Sequence, residues 1–181
     1  MSLDRCYQAY GRYLVTFNRL NPILDAAIVR ETGLPFAQGA IVTAAFTPKN
    51  RLTVLRALVA AGSRGDRAEV VQLLSEIAQD AKKQPILQGQ AQPGTGNSLV
   101  FVRTDAAAGR PGAGAADFTA EAIDAAADEL SARVDALAAL LGIGEAELSS
   151  LKRAGEEVAA RRRRGGILSS GEAPPTEDDS D

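Results

Sequence analysis

The chain has 181 residues, a single cysteine, no tryptophan and no histidine. That length suits one domain of roughly 150 residues plus a tail, large enough to bury about 70% of its chain surface without staples. Without histidine, Ser-His-Asp and Cys-His catalysis and every His-bearing metal site are excluded, and one cysteine forms no internal disulfide.

Alanine occurs 34 times, and arginine outnumbers lysine 16 to 4. Alanine has the best intrinsic helix propensity, so helix is the first expectation. The net charge is −3, but Glu172, Glu177, Asp178, Asp179 and Asp181 crowd the C-terminus. Without these five, 18 acids face 20 bases, so residues 1–170 carry about +2. Such a body does not read as a strongly basic nucleic-acid binder. No apolar run approaches the ~20 residues of a membrane helix. Asp4 and polar neighbours stand where a signal peptide would be apolar. The expectation is a soluble cytoplasmic protein, of bacterial type by its Ala/Arg-rich, Lys-poor composition.

In chain order, Leu3, Tyr7, Tyr10, Leu14, Phe17, Leu20, Leu24 and Ala27/Ile28 recur at spacings of three and four, one face of a helix. Six of the eight Phe and Tyr residues lie at or before Phe46, which predicts an aromatic core built by the N-terminal quarter. Tyr10, Leu14 and Phe17 are expected to pack on Leu55, Leu58, Leu74 and Ile77. Pro22 either kinks this helix or starts a second one capped by Asn21. Gly33 and Pro35 end it. Phe36–Phe46 reads as a short apolar helix. Thr47-Pro48 reads as an N-cap with proline in the first turn, opening a helix whose buried face is Leu52, Leu55, Leu58 and Val59 and which Gly62 closes.

Asp66 and Glu69 resemble a capping box ahead of Val70, Leu73, Leu74, Ile77 and Ala81. Pro85 disfavours helix at Gln84, so this helix should end near Lys82 or Lys83. Gln90–Asn97 reads as a loop. Ser98–Arg103 is the one convincing strand, its partner being a hairpin after Asp105 or another molecule. Ala106–Ala116, rich in glycine, supplies no clear strand. The last strong helix starts near Asp117–Thr119. Its Ile123, Ala127, Leu130, Val134, Leu137 and Leu141 form a 4-3-4-3-4 coiled-coil-like seam ended by Gly142 and Gly144. Glu145–Arg164 is weakly amphipathic. The fold class is therefore mainly α: a helical bundle over residues 1–164 with one short strand or hairpin, and a disordered acidic tail over 165–181.

Cys6 lies on the polar side of the first helix pattern and, lacking a histidine to activate it, reads as a small packed side chain. Asp124 and Asp128 are i,i+4 neighbours that could share a metal or a proton, but they read first as a solvated helix face. Arg161, Arg162, Arg163 and Arg164 form a possible anion patch; they equally suit a helix C-terminus and face an acidic tail in the same chain. No cofactor and no metal is expected.

The most informative stretch is Asp80-Ala-Lys82-Lys83-Gln84-Pro85-Ile86-Leu87-Gln88-Gly89. It resembles a degenerate form of the Arg-Asn-x-x-x-x-His segment of HEPN-superfamily helical domains. Ala81, Lys82, Ile86, Leu87 and Gly89 agree with the bacterial form "A-K-R-N-D-I-L-H-G". Lys83 stands for the arginine, Gln84 for the asparagine and Gln88 for the histidine. The flanking Gly11–Leu20 helix, the Lys49–Leu58 helix, the short strand with Arg103 and the final heptad-like helix extend the resemblance over residues 5–141. It implies a helical bundle, often a homodimer with the motif in an interface cleft, from a prophage, defence or toxin–antitoxin setting. Active members are similar to metal-independent ribonucleases that use the arginine and histidine around the scissile phosphate. Here Gln88 carries no proton titrating near neutrality, and Lys83 lacks the guanidinium fork. The resemblance thus implies a catalytically inactive module, dimeric or weakly RNA-binding, with phosphate contacts from Lys82, Lys83, Gln84, Gln88 and Arg103. The alternatives are a helical adaptor docking its partner on the 123–141 seam and, last, an active ribonuclease.

Overall fold

The computed structural model describes the backbone of residues 2–62, 67–83, 85–95, 97–105 and 110–168; the side chains of 82, 83, 85, 88, 103–105, 110–115, 162 and 164–168 lie outside that description. The chain is mainly helical. Its helices are α1 (Leu3–Thr32), α2 (Phe36–Thr43), α3 (Pro48–Ala61), α4 (Arg67–Lys83), α5 (Pro85–Gln88), α6 (Ala120–Leu141) and α7 (Glu145–Leu168). Between α5 and α6 runs an antiparallel sheet of β1 (Gln90–Pro93), β2 (Leu99–Asp105) and β3 (Arg110–Phe118), in that order. Among the described residues, no helix is long and apolar enough to cross a membrane.

Local signals set most helix ends. Gly33 and Gly142 take left-handed φ of 67° and 63°, closing α1 and α6 as only glycine does without strain. The Thr47 hydroxyl accepts from the Asn50 N–H, and the Thr119 hydroxyl from the Ala122 N–H, so each caps its helix. Pro22 does not divide α1. It lies on the exposed side, where the Asn18 carbonyl that its missing N–H leaves free can meet water. The capping-box reading of Asp66 lies outside the described residues.

The long helices α1 and α6 lie side by side and run parallel, because their cross-links advance together. Arg5 pairs with Asp124, Arg12 with Asp124 and Asp128, Arg19 with Asp135 at 2.8 Å, and Arg30 reaches the Leu141 carbonyl. The seam of α6 is spent on this contact. Ile123, Ala127, Val134, Leu137 and Leu141 are all buried inside the chain. The coiled-coil partner is α1, so these five seam side chains are covered within the chain, while Leu130 is half-buried.

Two apolar clusters result. The larger joins Leu20, Leu24 and Ile28 of α1 to Leu55 and Val59 of α3, Leu74 and Ile77 of α4, Val134 and Leu137 of α6, and Leu151 of α7. The smaller joins Cys6, Ala9 and Tyr13 of α1 to Ile86, Leu99, Phe101, Ala120, Ile123 and Ala127. Where α1 meets α2, Gly39 is obligatory for the close approach: a Cβ there would fall 2.2 Å from a Val29 methyl carbon.

Several expectations need correction. The first half of α1 buries Cys6, Ala9, Tyr13 and Thr16, one position away from the stripe of bulky residues. Tyr7 is exposed, and Tyr10, Leu14 and Phe17 are only half-buried. Small side chains let α6 approach closely, while the large ones spread to the flanks. Tyr10 packs on Phe101, not on Leu55 or Leu74, with ring centroids 5.2 Å apart, and Phe101 stacks edgewise on Phe118 at 5.7 Å. The aromatic cluster therefore belongs to α1 and the sheet together. Gln90–Pro93 is a strand rather than a loop, and β2 is flanked on both sides. Pro93 and Pro111 both sit on edge strands, where a missing N–H is tolerated. Helix α7 continues past Arg164 to Leu168, beyond the expected start of the tail. The tail from residue 169 lies outside the described residues.

Candidate functional site

Helix α4 ends at Lys82-Lys83 and α5 begins at Pro85, so the motif-like segment forms a corner between two helices. Ile86 is buried against Leu99 and Phe101, which seats α5 on β2. The corner therefore abuts the strand that carries Arg103. The β2–β3 register skips between Val102 and Thr104, so Arg103 stands at an irregularity of the ladder. Gln84 and the side chains of Lys82, Lys83, Gln88 and Arg103 lie outside the described residues; what the structure brings together is the backbone of α5 and of β2.

Arg161–Arg164 belong to α7, which packs chiefly against α2 and α1, apart from this corner. Arg161 and Arg163 are exposed, and the side chains of Arg162 and Arg164 lie outside the described residues. The structure does not bring this run together with Lys82–Gln88.

Asp124 and Asp128 face arginines. The Arg12 guanidinium hydrogen-bonds both, and its pKa is raised first by Asp124 and then by Asp128. Occupied by cations, these carboxylates are not open to a metal. Among the described residues no group of three or more Cys, Asp and Glu side chains could hold one. Cys6 is fully buried, correcting its polar-side placement, and its thiol donates to the Asn97 carbonyl at 3.0 Å. Burial pushes the Tyr13 phenol up to about 12, so it stays neutral and serves as packing.

A feature that sequence reading missed lies beside the corner. A groove of about 340 Å³ opens between α1, α3, α4 and α5. Phe17, Leu52, Leu74, Ala78, Ala81 and Leu87 give it an apolar floor, and Thr47, Lys49, Thr53 and Arg56 line its rim. Lys49, Leu52, Thr53 and Arg56 are spaced i, i+3, i+4, i+7, so one face of α3 forms a whole wall. Leu74, Ala78 and Ala81 repeat that spacing on α4. The signal was in the sequence, as cations flanking an apolar stripe, but the same spacing describes any amphipathic helix. Ala81 and Leu87 of the motif-like segment line the groove, which joins the two regions.

The electrostatics of this wall are distinctive. Arg5, Arg12, Arg19, Arg51, Arg67 and Arg133 are each bound to a carboxylate on another helix. Six of the sixteen arginines thus serve to hold helices together. Lys49 and Arg56 are exposed, and no carboxylate among the described residues pairs with either. No family model, curated protein or solved structure matches the chain.

Proposed function

We propose that this chain is a non-catalytic helical binding module of HEPN-like plan that engages single-stranded RNA weakly. The observation that supports the reading is the packing of α5 on β2, through Ile86 with Leu99 and Phe101, which brings the short helix that follows Lys82 and Lys83 against the strand that carries Arg103. Lys82, Lys83 and Arg103 would together supply a few phosphate contacts. The absence of histidine from the sequence leaves the family's acid–base step without its titratable group.

Titration of a labelled single-stranded RNA over a range of salt tests this. Two or three phosphate contacts at ~0.7 each predict a log–log slope of about −2 or shallower, and no cleavage. Lys83→Arg, Gln84→Asn and Gln88→His together supply a donor fork and a group titrating near neutrality, and are expected to produce metal-independent cleavage. Cleavage by the unaltered protein under chelation would overturn the non-catalytic reading. No binding at low salt would remove RNA as the ligand.

The same reading includes a homodimer, supported by α2. This eight-residue helix carries no charge, and Phe36, Ile41 and Val42 are exposed on it. Such a face is expected to be covered. Light scattering should give the mass of two chains, and Ile41→Glu should return a single-chain mass with unchanged helical circular dichroism. A monomeric unaltered protein rejects the dimer.

A further inference from the structure

The groove described above has a floor that phosphate contacts do not use. Phe17, Ala78 and Leu87 are half-buried and offer apolar surface to this space, and Lys49 and Arg56 line its rim without carboxylate partners among the described residues. Among the described residues, no acidic side chain lines it. The volume, about 340 Å³, lies at the lower end of the range typical of small-molecule sites.

The geometry points to a binding site for a small amphipathic carboxylate, an apolar body with one anionic head, held in this groove. The body covers Phe17, Ala78 and Leu87, where removing apolar surface from water supplies the affinity. The head is taken by Arg56, whose planar fork matches a carboxylate, or by Lys49 two turns earlier on the same helix face. The opening sets the charge of the ligand, because a cation would meet Lys49 and Arg56 in a wall with no compensating acid among the described residues. A neutral apolar molecule would fill the floor but leave both cations unanswered. Because Ala81 lies at the end of α4 and Leu87 on α5, a ligand here also braces the α4–α5 corner.

The probes are decanoate and its neutral counterpart decanol. The chain has no tryptophan, so Thr53→Trp places a single reporter at the rim. Decanoate should shift its emission to the blue at one equivalent per chain. Calorimetry on the unaltered protein should give decanol at least about tenfold weaker than decanoate, the size of one charge-assisted hydrogen bond. Lys49→Gln with Arg56→Gln should weaken decanoate by about the same factor and leave decanol unchanged. Ala78→Phe, which fills the floor, should abolish both. Should that variant fail to fold, Leu87→Phe tests the same floor from α5.

Equal affinity for decanoate and decanol, or decanoate binding that survives filling of the floor, overturns the assignment. Single-stranded RNA is titrated against Ala78→Phe in parallel. Retained RNA binding with lost decanoate binding identifies two separate sites, so failure of one reading leaves the other measurable.

Discussion

Replacing Phe101 by alanine is expected to cost about 3–5 kcal/mol of unfolding free energy, the range for a fully buried phenylalanine. Phe101 is fully buried at the centre of the smaller cluster. Its ring takes edge contacts from Tyr10 on α1 and Phe118 on β3, so the substitution opens a cavity where helix and sheet meet. Most of β1 is exposed, so among the described residues the sheet is anchored chiefly through Leu99 and Phe101 of β2 and Phe118 of β3. A urea melt measures the loss, and a loss below about 1 kcal/mol would mean that the sheet does not dock on α1. Conservative Phe101→Leu keeps most of the volume and should retain more than half of the stability difference.

Arg51→Ala has the second large expected effect, about 3–5 kcal/mol, the cost of stranding one partner of a largely buried ion pair. Arg51 donates from Nε to Asp25 Oδ1 at 2.6 Å, from Nη2 to the Thr43 carbonyl at 3.0 Å and from Nη1 to the Phe46 carbonyl. One guanidinium thereby ties α1, the C-terminus of α2 and the start of α3. Lysine cannot meet three acceptors with that fork, so Arg51→Lys should recover little.

The same pair gives the effect a pH dependence. Burial raises the pKa of Asp25 above the usual carboxylate value, against the hydrogen bond and charge of Arg51 and the Thr43 hydroxyl, which lower it. A carboxyl raised on folding contributes stability that is full below its unfolded value and lost as pH rises through its folded value. Removing Arg51 raises the folded value further. The loss in Arg51→Ala should therefore be greater near about pH 7 than near about pH 4, where Asp25 is more protonated. Equal losses at both pH values would assign the effect to the two carbonyls alone.

The helices were legible because their signals are local. Thr47-Pro48, Thr119, Gly33, Gly62 and Gly142 act on the backbone within one turn of themselves, and the 4-3 seam of α6 requires only a regular helix. A mainly helical bundle with a small β element followed from these residues alone. So did the end of α4 ahead of Pro85, because proline restricts the residue before it.

The tertiary structure decided everything that depends on what lies opposite. Gln90–Pro93 has no apolar alternation, and Arg110–Phe118 is rich in glycine and alanine; each is a strand because β2 offers it hydrogen-bonding partners. The buried stripe of early α1 runs through Cys6, Ala9 and Thr16 because parallel α6 approaches closely there, a fact no single helix records. Spacing alone could not say that the seam of α6 faces α1 instead of another chain. The groove exists only because Phe17, one face of α3, one face of α4 and Leu87 converge from four helices. The sequence determines which residues are apolar or charged and how they repeat; only packing fixes which cations find carboxylates and leaves Lys49 and Arg56 free of one among the described residues.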